Sequence, residues 1–279
     1  MWLVFRLCRM FCGLLLYAGP ACLWGQGRPL SSRWISLDAY SDSLLLSVPT
    51  VTTNPGVLAR QQVMALHFIS EQKFMLSGLY RFQAGVVVPS SIGGWGLMAD
   101  HEGFDRYSRL SAGLAYARTL YTGLQLGVAF NYITTKYAGV SSVSGVSMGM
   151  GLLFRFSEQL RAGFHFHDPA GLRLSASPDR TPATVYATGL GWDISPLLSI
   201  ALEFVKQEYG PVQVNAGLIY RPAQQVQVRL GVTDGVNNFF AGAGLLLKTI
   251  RIEVVNTFHP YLGSSPALRI GWVAKNKRS

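Results

Sequence analysis

Between about Val185 and Lys275 nearly every second residue is apolar, in five or six consecutive stretches. In the stretch 211–221, Val212, Val214, Ala216, Leu218 and Tyr220 share one face, while Gln213, Asn215, Gly217, Ile219 and Arg221 share the other. Residues 226–233 repeat it, with Val226, Val228, Leu230 and Val232 against Gln227, Arg229, Gly231 and Thr233. Side chains of a strand alternate between two faces, so period two over about ten residues marks a strand with one apolar and one wet face. No stretch after residue 26 reaches the roughly 18 unbroken apolar residues of a membrane helix. Successive strands of this kind after an export signal predict an all-β chain: a transmembrane antiparallel β-barrel, apolar outside and polar inside.

The N-terminus reads as that signal. Arg6 and Arg9 supply positive charge, 10–19 is a short apolar run, and small residues at 21–25 offer a cleavage point near Gly25 and Gln26. A lipoprotein signal using Cys22 is a poorer fit, because Pro20 sits inside the site. All three cysteines, Cys8, Cys12 and Cys22, lie in this segment. A chain cleaved there has no thiol, hence no disulfide, thiolate nucleophile or cysteine metal site. Removing residues 1–25 takes Arg6 and Arg9 with it and lowers the formal net charge from +10 to +8. The remaining charges are spread singly along the strands, with one basic run at 275–278. That pattern suits lumen and loop positions and argues against nucleic acid.

Residues 26–61 differ from the rest, being rich in Ser, Thr and Pro and ending in Asn54, Pro55 and Gly56, a turn sequence followed by one expected helical turn at 57–61. The barrel is expected over 62–275. Fourteen strands are predicted, at 62–70, 74–88, 93–100, 106–118, 123–136, 141–156, 160–167, 183–194, 198–207, 211–221, 226–233, 238–247, 250–258 and 266–274; twelve is the alternative count. An even number places both ends on the periplasmic side. Odd-numbered connections, including 101–105, 168–182 and 259–265, are then external, and 157–159, 195–197 and 248–249 are short internal turns. Glycines 113, 127, 149, 151, 163, 217, 231, 242, 244 and 271 fall in the inward phase, as a lumen filled by another segment would require. Tyr116, Tyr132, Tyr186, Trp192, Tyr220 and Trp272 fall in the outward phase near strand ends.

The inward phase collects the charges: Arg81, Arg155, Arg161, Arg229, Arg251 and Arg269, with Glu203 and Glu253 as partners. They either line a pore, clamp an inner segment, or order the lumen. His165 and His167 also point inward, beside Asp168. Two imidazoles and a carboxylate can hold a metal, but no fourth ligand is at hand, so solvated lumen histidines are the expectation and no cofactor is implied. Asp100, His101 and Glu102 read as a charged hairpin loop. No catalytic motif occurs; Ser147, Ser199 and His165 are the raw material for a barrel enzyme, the least favoured alternative.

The run Thr53-Asn54-Pro55-Gly56-Val57-Leu58-Ala59 resembles the N-P-A-x-L-A motif that precedes the first strand of FadL-like outer-membrane proteins. Their Bacteroidota relatives include the PorV, PorQ and PorP/SprF proteins associated with type IX secretion. The stretch 95–104 is similar to a hairpin of the PorP/SprF group, followed by similar residues at 115–117 and 126–127, and Tyr261-Leu262-Gly263 is familiar before a last strand. Gly56 departs from the usual alanine, and the basic tail lacks a terminal aromatic. The resemblance implies a fourteen-stranded barrel with residues 26–61 inside it as a hatch, built around Asn54, Pro55 and Gly56.

The expectation is therefore a non-catalytic outer-membrane protein of a Gram-negative bacterium, in contact with lipid and associated with secretion or envelope assembly proteins. The alternative is a FadL-like transporter or channel for small hydrophobic or amphipathic molecules. Mass spectrometry of the protein from membranes should find the mature N-terminus within a few residues of Gln26; a membrane-borne chain that retains Cys8 and Cys12 would refute the export reading.

Overall fold

The computed structural model describes residues 33–41, 53–104, 106–167, 184–208, 210–233 and 238–275. The expected signal with its three cysteines, the connection 168–182 and the basic tail beyond Lys275 lie outside the described residues.

Fourteen strands form: β1 (Ala65–Gln72), β2 (Tyr80–Ser90), β3 (Gly93–Phe104), β4 (Tyr107–Tyr121), β5 (Leu124–Tyr137), β6 (Val140–Arg155), β7 (Leu160–His167), β8 (Val185–Ser195), β9 (Leu198–Gln207), β10 (Val212–Ala223), β11 (Val226–Thr233), β12 (Asn238–Leu247), β13 (Ile250–His259) and β14 (Gly263–Val273). Each pairs antiparallel with its sequence neighbours, and β1 pairs with β14 to close the barrel. Closure leaves no open sheet edge, which a hydrocarbon solvent demands because it offers backbone groups no partner. Fourteen, not twelve, is the count.

Alternation sets the facing. In β1, Ala65, His67, Ile69 and Glu71 are buried inward, while Leu66 and Phe68 are exposed outward. The outer face is apolar around the whole wall, with Leu114, Phe130, Leu190, Leu230 and Val254 among its exposed residues. The charged side chains in the outward phase, Arg118, Lys136 and Lys206, stand within the last four residues of their strands. Tyr132, Tyr186, Trp192, Tyr220 and Trp272 are exposed there too; Tyr116 is half-buried, its ring tilted against Trp95 at 4.6 Å between ring centroids. All of the inward-phase glycines named above face the lumen.

The structure corrects two expected elements. Residues 74–79 do not begin β2: Lys73–Met75 forms a 3-10 turn, with Phe74 at φ 55° and Met75 at φ 54°. Residues 101–104 are not a loop, because β3 runs on to Phe104. Its period two persists there, but the inner face carries Asp100 and Glu102, so high polarity made a strand look like a turn.

At the end bearing both barrel termini, the connections are short: 91–92, 122–123, 156–159, 196–197, 224–225 and 248–249. At the far end they vary, and so does wall height. The cross-strand row Leu66, Val86, Leu97, Leu114, Phe130, Met148 lies one residue into β1 from the terminal end but seven into β6. Beyond that row, six further residues remain to Gln72 and eight to Val140. The far rim therefore climbs from β1 to β6.

An arginine in place of Leu230, central in β11 and outward, would meet the hydrocarbon. Leu230→Arg should lose about 2–4 kcal/mol of folding free energy in lipid vesicles, measured by denaturant titration of heat-modifiable migration. Parental stability for this variant would mean that the apolar phase does not face lipid.

Candidate functional site

The lumen is occupied by the chain's own N-terminal segment. Arg33–Ser36 makes one helical turn that continues as a 3-10 turn over Leu37–Tyr40. Trp34, Ile35, Leu37, Ala39 and Tyr40 are buried against inward residues that include Ala201, Phe240, Val255 and Ala267. A second piece, the 3-10 turn Pro55–Arg60, packs on the opposite wall, where Leu58 joins Val87, Met98, Ala115, Ala117 and Ala129. Residues 26–61 were expected to hold a plug with one turn at 57–61; that turn begins two residues earlier, and the turn at 33–40 was not anticipated.

The first piece is fastened by charge. The Asp38 carboxylate accepts from Arg229 Nη1 at 2.6 Å and from Arg269 Nη1 at 2.7 Å. Glu253 accepts from Arg229 Nε at 2.9 Å and also from Arg269 Nη2. Two carboxylates and two guanidiniums thus close a ring. Register builds it: Arg269 and Glu253 are direct cross-strand partners, and Arg229 reaches Glu253 over β12, where Gly242 and Gly244 keep the floor low. The span from β11 to β13 is about 9–10 Å, within an arginine's reach only if nothing stands between. Trp34 lies under both guanidiniums, 5.2 Å from Arg229 Cζ and 4.9 Å from Arg269 Cζ, and its carbonyl accepts from Arg229 at 3.0 Å. Desolvated cation–π contacts of this kind contribute about 2 kcal/mol each.

Glu203 makes a second fastening. It accepts from Tyr40 Oη at 3.1 Å, from Asn215 Nδ2 at 2.8 Å and from Ser36 Oγ. Burial first, then the Glu203 charge, pushes the Tyr40 phenol well above its ordinary pKa, so it stays a donor. Burial alone would raise the Asp38 pKa; Arg229 and Arg269 outweigh it and hold the carboxyl below its ordinary 3.8.

Asn54, Pro55 and Gly56 work as a unit. Asn54 Oδ1 accepts from Gly56 N at 2.9 Å, which starts the turn, and its Nδ2 donates to the carbonyls of Leu152 and Phe164, each at 3.3 Å. The wall opposite is glycine because backbone lies against it. A Cβ on Gly151 would stand 2.0 Å from Asn54 Oδ1, and one on Gly127 would stand 2.3 Å from the Pro55 carbonyl carbon. On the other side, a Cβ on Gly191 would stand 1.7 Å from the Tyr40 carbonyl oxygen.

The remaining inward residues fall into two end clusters. At the terminal end, Arg161 donates to Asp193 at 2.7 Å, and Arg221 donates to Ser199 Oγ at 3.1 Å, which itself donates to Asp193. Arg60 joins them; burial, then repulsion from Arg161 and Arg155, lowers its pKa to about 10. Arg155 is in the inward phase but exposed where β6 ends, and Arg251 is half-buried near Arg269. At the far end, Arg81 donates twice to Asp100, at 2.6 and 2.9 Å, and Lys73 pairs with Glu102. Asp100 and Glu102 are therefore buried wall residues, while His101 faces outward with Ser108 Oγ at 3.2 Å.

His165 and His167 are buried on the inner face, their rings edge-on at 6.0 Å between centroids. Asp168 lies outside the described residues. Among the described residues no group of three or more His, Cys, Asp or Glu is arranged to hold a metal. Ser147 is an inward residue of β6, and Ser199 belongs to the Asp193 cluster. Sequence reasoning missed Trp34, Asp38 and Tyr40, although one acid and two aromatics within seven residues were a usable signal.

No protein-family model and no curated sequence matches the chain. Solved structures share the fold. The toluene transporter TbuX of Ralstonia pickettii is 10% identical with a TM-score of 0.66, over 82% of this chain and 94% of that one. The toluene transporter TodX of Pseudomonas putida is 10% identical with a TM-score of 0.57, over 85% and 96%. The outer membrane protein Omp33 of Acinetobacter baumannii is 7% identical with a TM-score of 0.53, over 76% and 98%. What these proteins share with the chain is the fold, a closed antiparallel β-barrel.

The Asp38 ring sets a pH window. A carboxyl whose pKa is depressed on folding stabilises the docked segment fully above 3.8, and that contribution is lost as pH falls through the lower folded value. Hydrogen exchange at residues 33–41 should stay slow at neutral pH and accelerate only below 3.8. Asp38→Asn should undock the segment at neutral pH, with a loss of about 3–5 kcal/mol, and Gly191→Val should do so by collision with Tyr40. Slow exchange at 33–41 in both variants would refute the fastening.

Proposed function

We propose that the chain is an outer-membrane channel for small hydrophobic or amphipathic molecules, with its far end outside the cell. One observation carries the reading: the plugged lumen is divided by wall. The β9–β14 side carries Glu203, Arg229, Glu253 and Arg269, while the β3–β6 side carries Gly94, Met98, Ala115, Ala117 and Ala129. With the plug displaced, an amphipathic solute would meet a polar wall and an apolar wall at one level. The plug pieces at 33–41 and 53–61 occupy part of the lumen, and their attachment at discrete points, rather than by a continuous sheet, leaves them separable from the wall. The hydrocarbon transporters that share the fold support the reading at the level of architecture.

Association with type IX secretion rests on the sequence motifs at 53–59 and 95–104. In the structure those residues serve the plug turn and the Lys73 and Arg81 ion pairs, which are internal tasks. These internal roles favour the channel reading over a partner-binding one. We also read the barrel as non-catalytic: Ser199 is engaged by Asp193 and Arg221, as a structural hydroxyl is.

Intact cells expressing the protein should take up N-phenylnaphthylamine, a hydrophobic probe that lipopolysaccharide excludes, several-fold faster than cells without it. A hydrophilic disaccharide should show no such gain, and Asp38→Asn should raise ion conductance in planar bilayers. Unchanged probe uptake, together with co-purification of secretion-machinery proteins, would favour the envelope-assembly reading instead.

A further inference from the structure

The hairpins β1–β2 and β13–β14 are neighbours across the barrel's closure, and their tips are apolar. Met75 is 61% exposed, Leu76 55%, Tyr261 91% and Leu262 54%. They form one fixed pad. Lys73 turns inward to Glu102, Gln72 Nε2 donates to the Leu76 carbonyl at 3.3 Å, and Phe74 N donates to Ser265 Oγ at 2.9 Å. The Phe74 ring meets His259 edge-on at 6.1 Å between centroids, and His259 meets Tyr261 at 6.2 Å. His259 Nδ1 accepts from Tyr261 N at 3.2 Å and Leu262 N at 3.1 Å. Phe74 and Met75 both sit in the left-handed backbone region, which non-glycine residues adopt at a cost. That strained turn sends Lys73 into the lumen and Met75 and Leu76 away from it.

Wall height says where the pad stands. A strand crosses the hydrocarbon in about 9–11 residues. Strands β2, β13 and β14 have 11, 10 and 11 residues, so their far ends emerge at the membrane boundary; β1 has 8 and reaches that level through the turn at Lys73–Met75. Strands β4, β5 and β6 have 15, 14 and 16 and project beyond it. The outward positions there change character to match: Ser108, Thr134 and Lys136 are polar. Apolar tips on the low rim and polar strand ends on the high rim are one pattern if a single lipid surface cuts across both.

We infer that Met75, Leu76, Tyr261 and Leu262 are a membrane-seated pad, lodged in the boundary between acyl chains and headgroups of the outer leaflet. The pad fixes the low rim at membrane level while β4–β6 rise into the polar layer.

The test uses the full-length protein with Cys8, Cys12 and Cys22 changed to Ser, reconstituted alone in phospholipid vesicles. Nitroxide labels go on Leu76→Cys, Leu262→Cys and, for comparison, Lys136→Cys. At 76 and 262 the ratio of collision with oxygen to collision with a water-soluble nickel chelate should be several-fold higher than at 136. Ratios at 76 and 262 equal to that at 136 overturn the inference, and mean that the pad faces water and awaits a solute or a protein. Should either substitution prevent heat-modifiable folding, Met75→Cys and Tyr261→Cys carry the same label on the same two hairpins. The readout needs no transport, so it stands or falls apart from the channel reading.

Discussion

Asp38 placed between Arg229 and Arg269 decides what the inside of this barrel is. Two guanidiniums held on one inner wall repel each other, and Glu253 neutralises only one charge. The second carboxylate has to come from elsewhere in the chain, and it arrives on the N-terminal segment. Removing charges from water is costly, and good geometry with complete hydrogen bonding is what offsets it. Arg229 and Arg269 each give one hydrogen bond to Asp38 and one to Glu253, with Trp34 beneath them, and these contacts offset part of that cost. The plug is therefore part of the wall's charge balance, not a loose filler.

Glycine placement follows from the same requirement. A helical turn can approach a strand closely enough to exchange hydrogen bonds only where the strand has no side chain in the way. Gly151 and Gly127 under Asn54 and Pro55, and Gly191 under Tyr40, are three such sites on separate strands. Strand propensity disfavours glycine, so the plug's close approach is bought with weaker strands. Closure into a barrel limits that loss, because each glycine amide still lies between two paired neighbours.

Much of this architecture was legible in the sequence because its physics is local and periodic. Period two fixed the facing of Leu218, Arg229 and Arg269, and the order of turns gave fourteen strands. The inward phase of Arg155, Arg161, His165, His167, Glu203, Arg251 and Glu253 followed from the same alternation. Partners were not legible, since Arg229 and Asp38 are 191 positions apart and no periodicity connects them. The strand at 101–104 was hidden for a different reason. Where a wall leaves the hydrocarbon, the outward face turns polar while the inward face stays charged, and alternation of hydropathy vanishes although alternation of side chains continues. Phe74 and Met75 were misread in the opposite sense: an apolar run suggested a strand, but the chain turns there, with Lys73 drawn inward to Glu102.

The placement of charge along the lumen bears on how the plug and the wall are coupled. Ion pairs occur at three levels: Arg161 with Asp193 at the terminal end, the Asp38 ring in the middle, and Arg81 with Asp100 at the far end. Among the described residues, only the middle level includes an acid supplied by the N-terminal segment. The ion pairs of the end levels join wall strand to wall strand, although Arg60 of the segment also stands beside the terminal-end pair. Structure and plugging are thus carried by different residues. A change at Asp38 or Tyr40 alters what fills the lumen, and a change at Arg81 or Arg161 alters the wall that surrounds it.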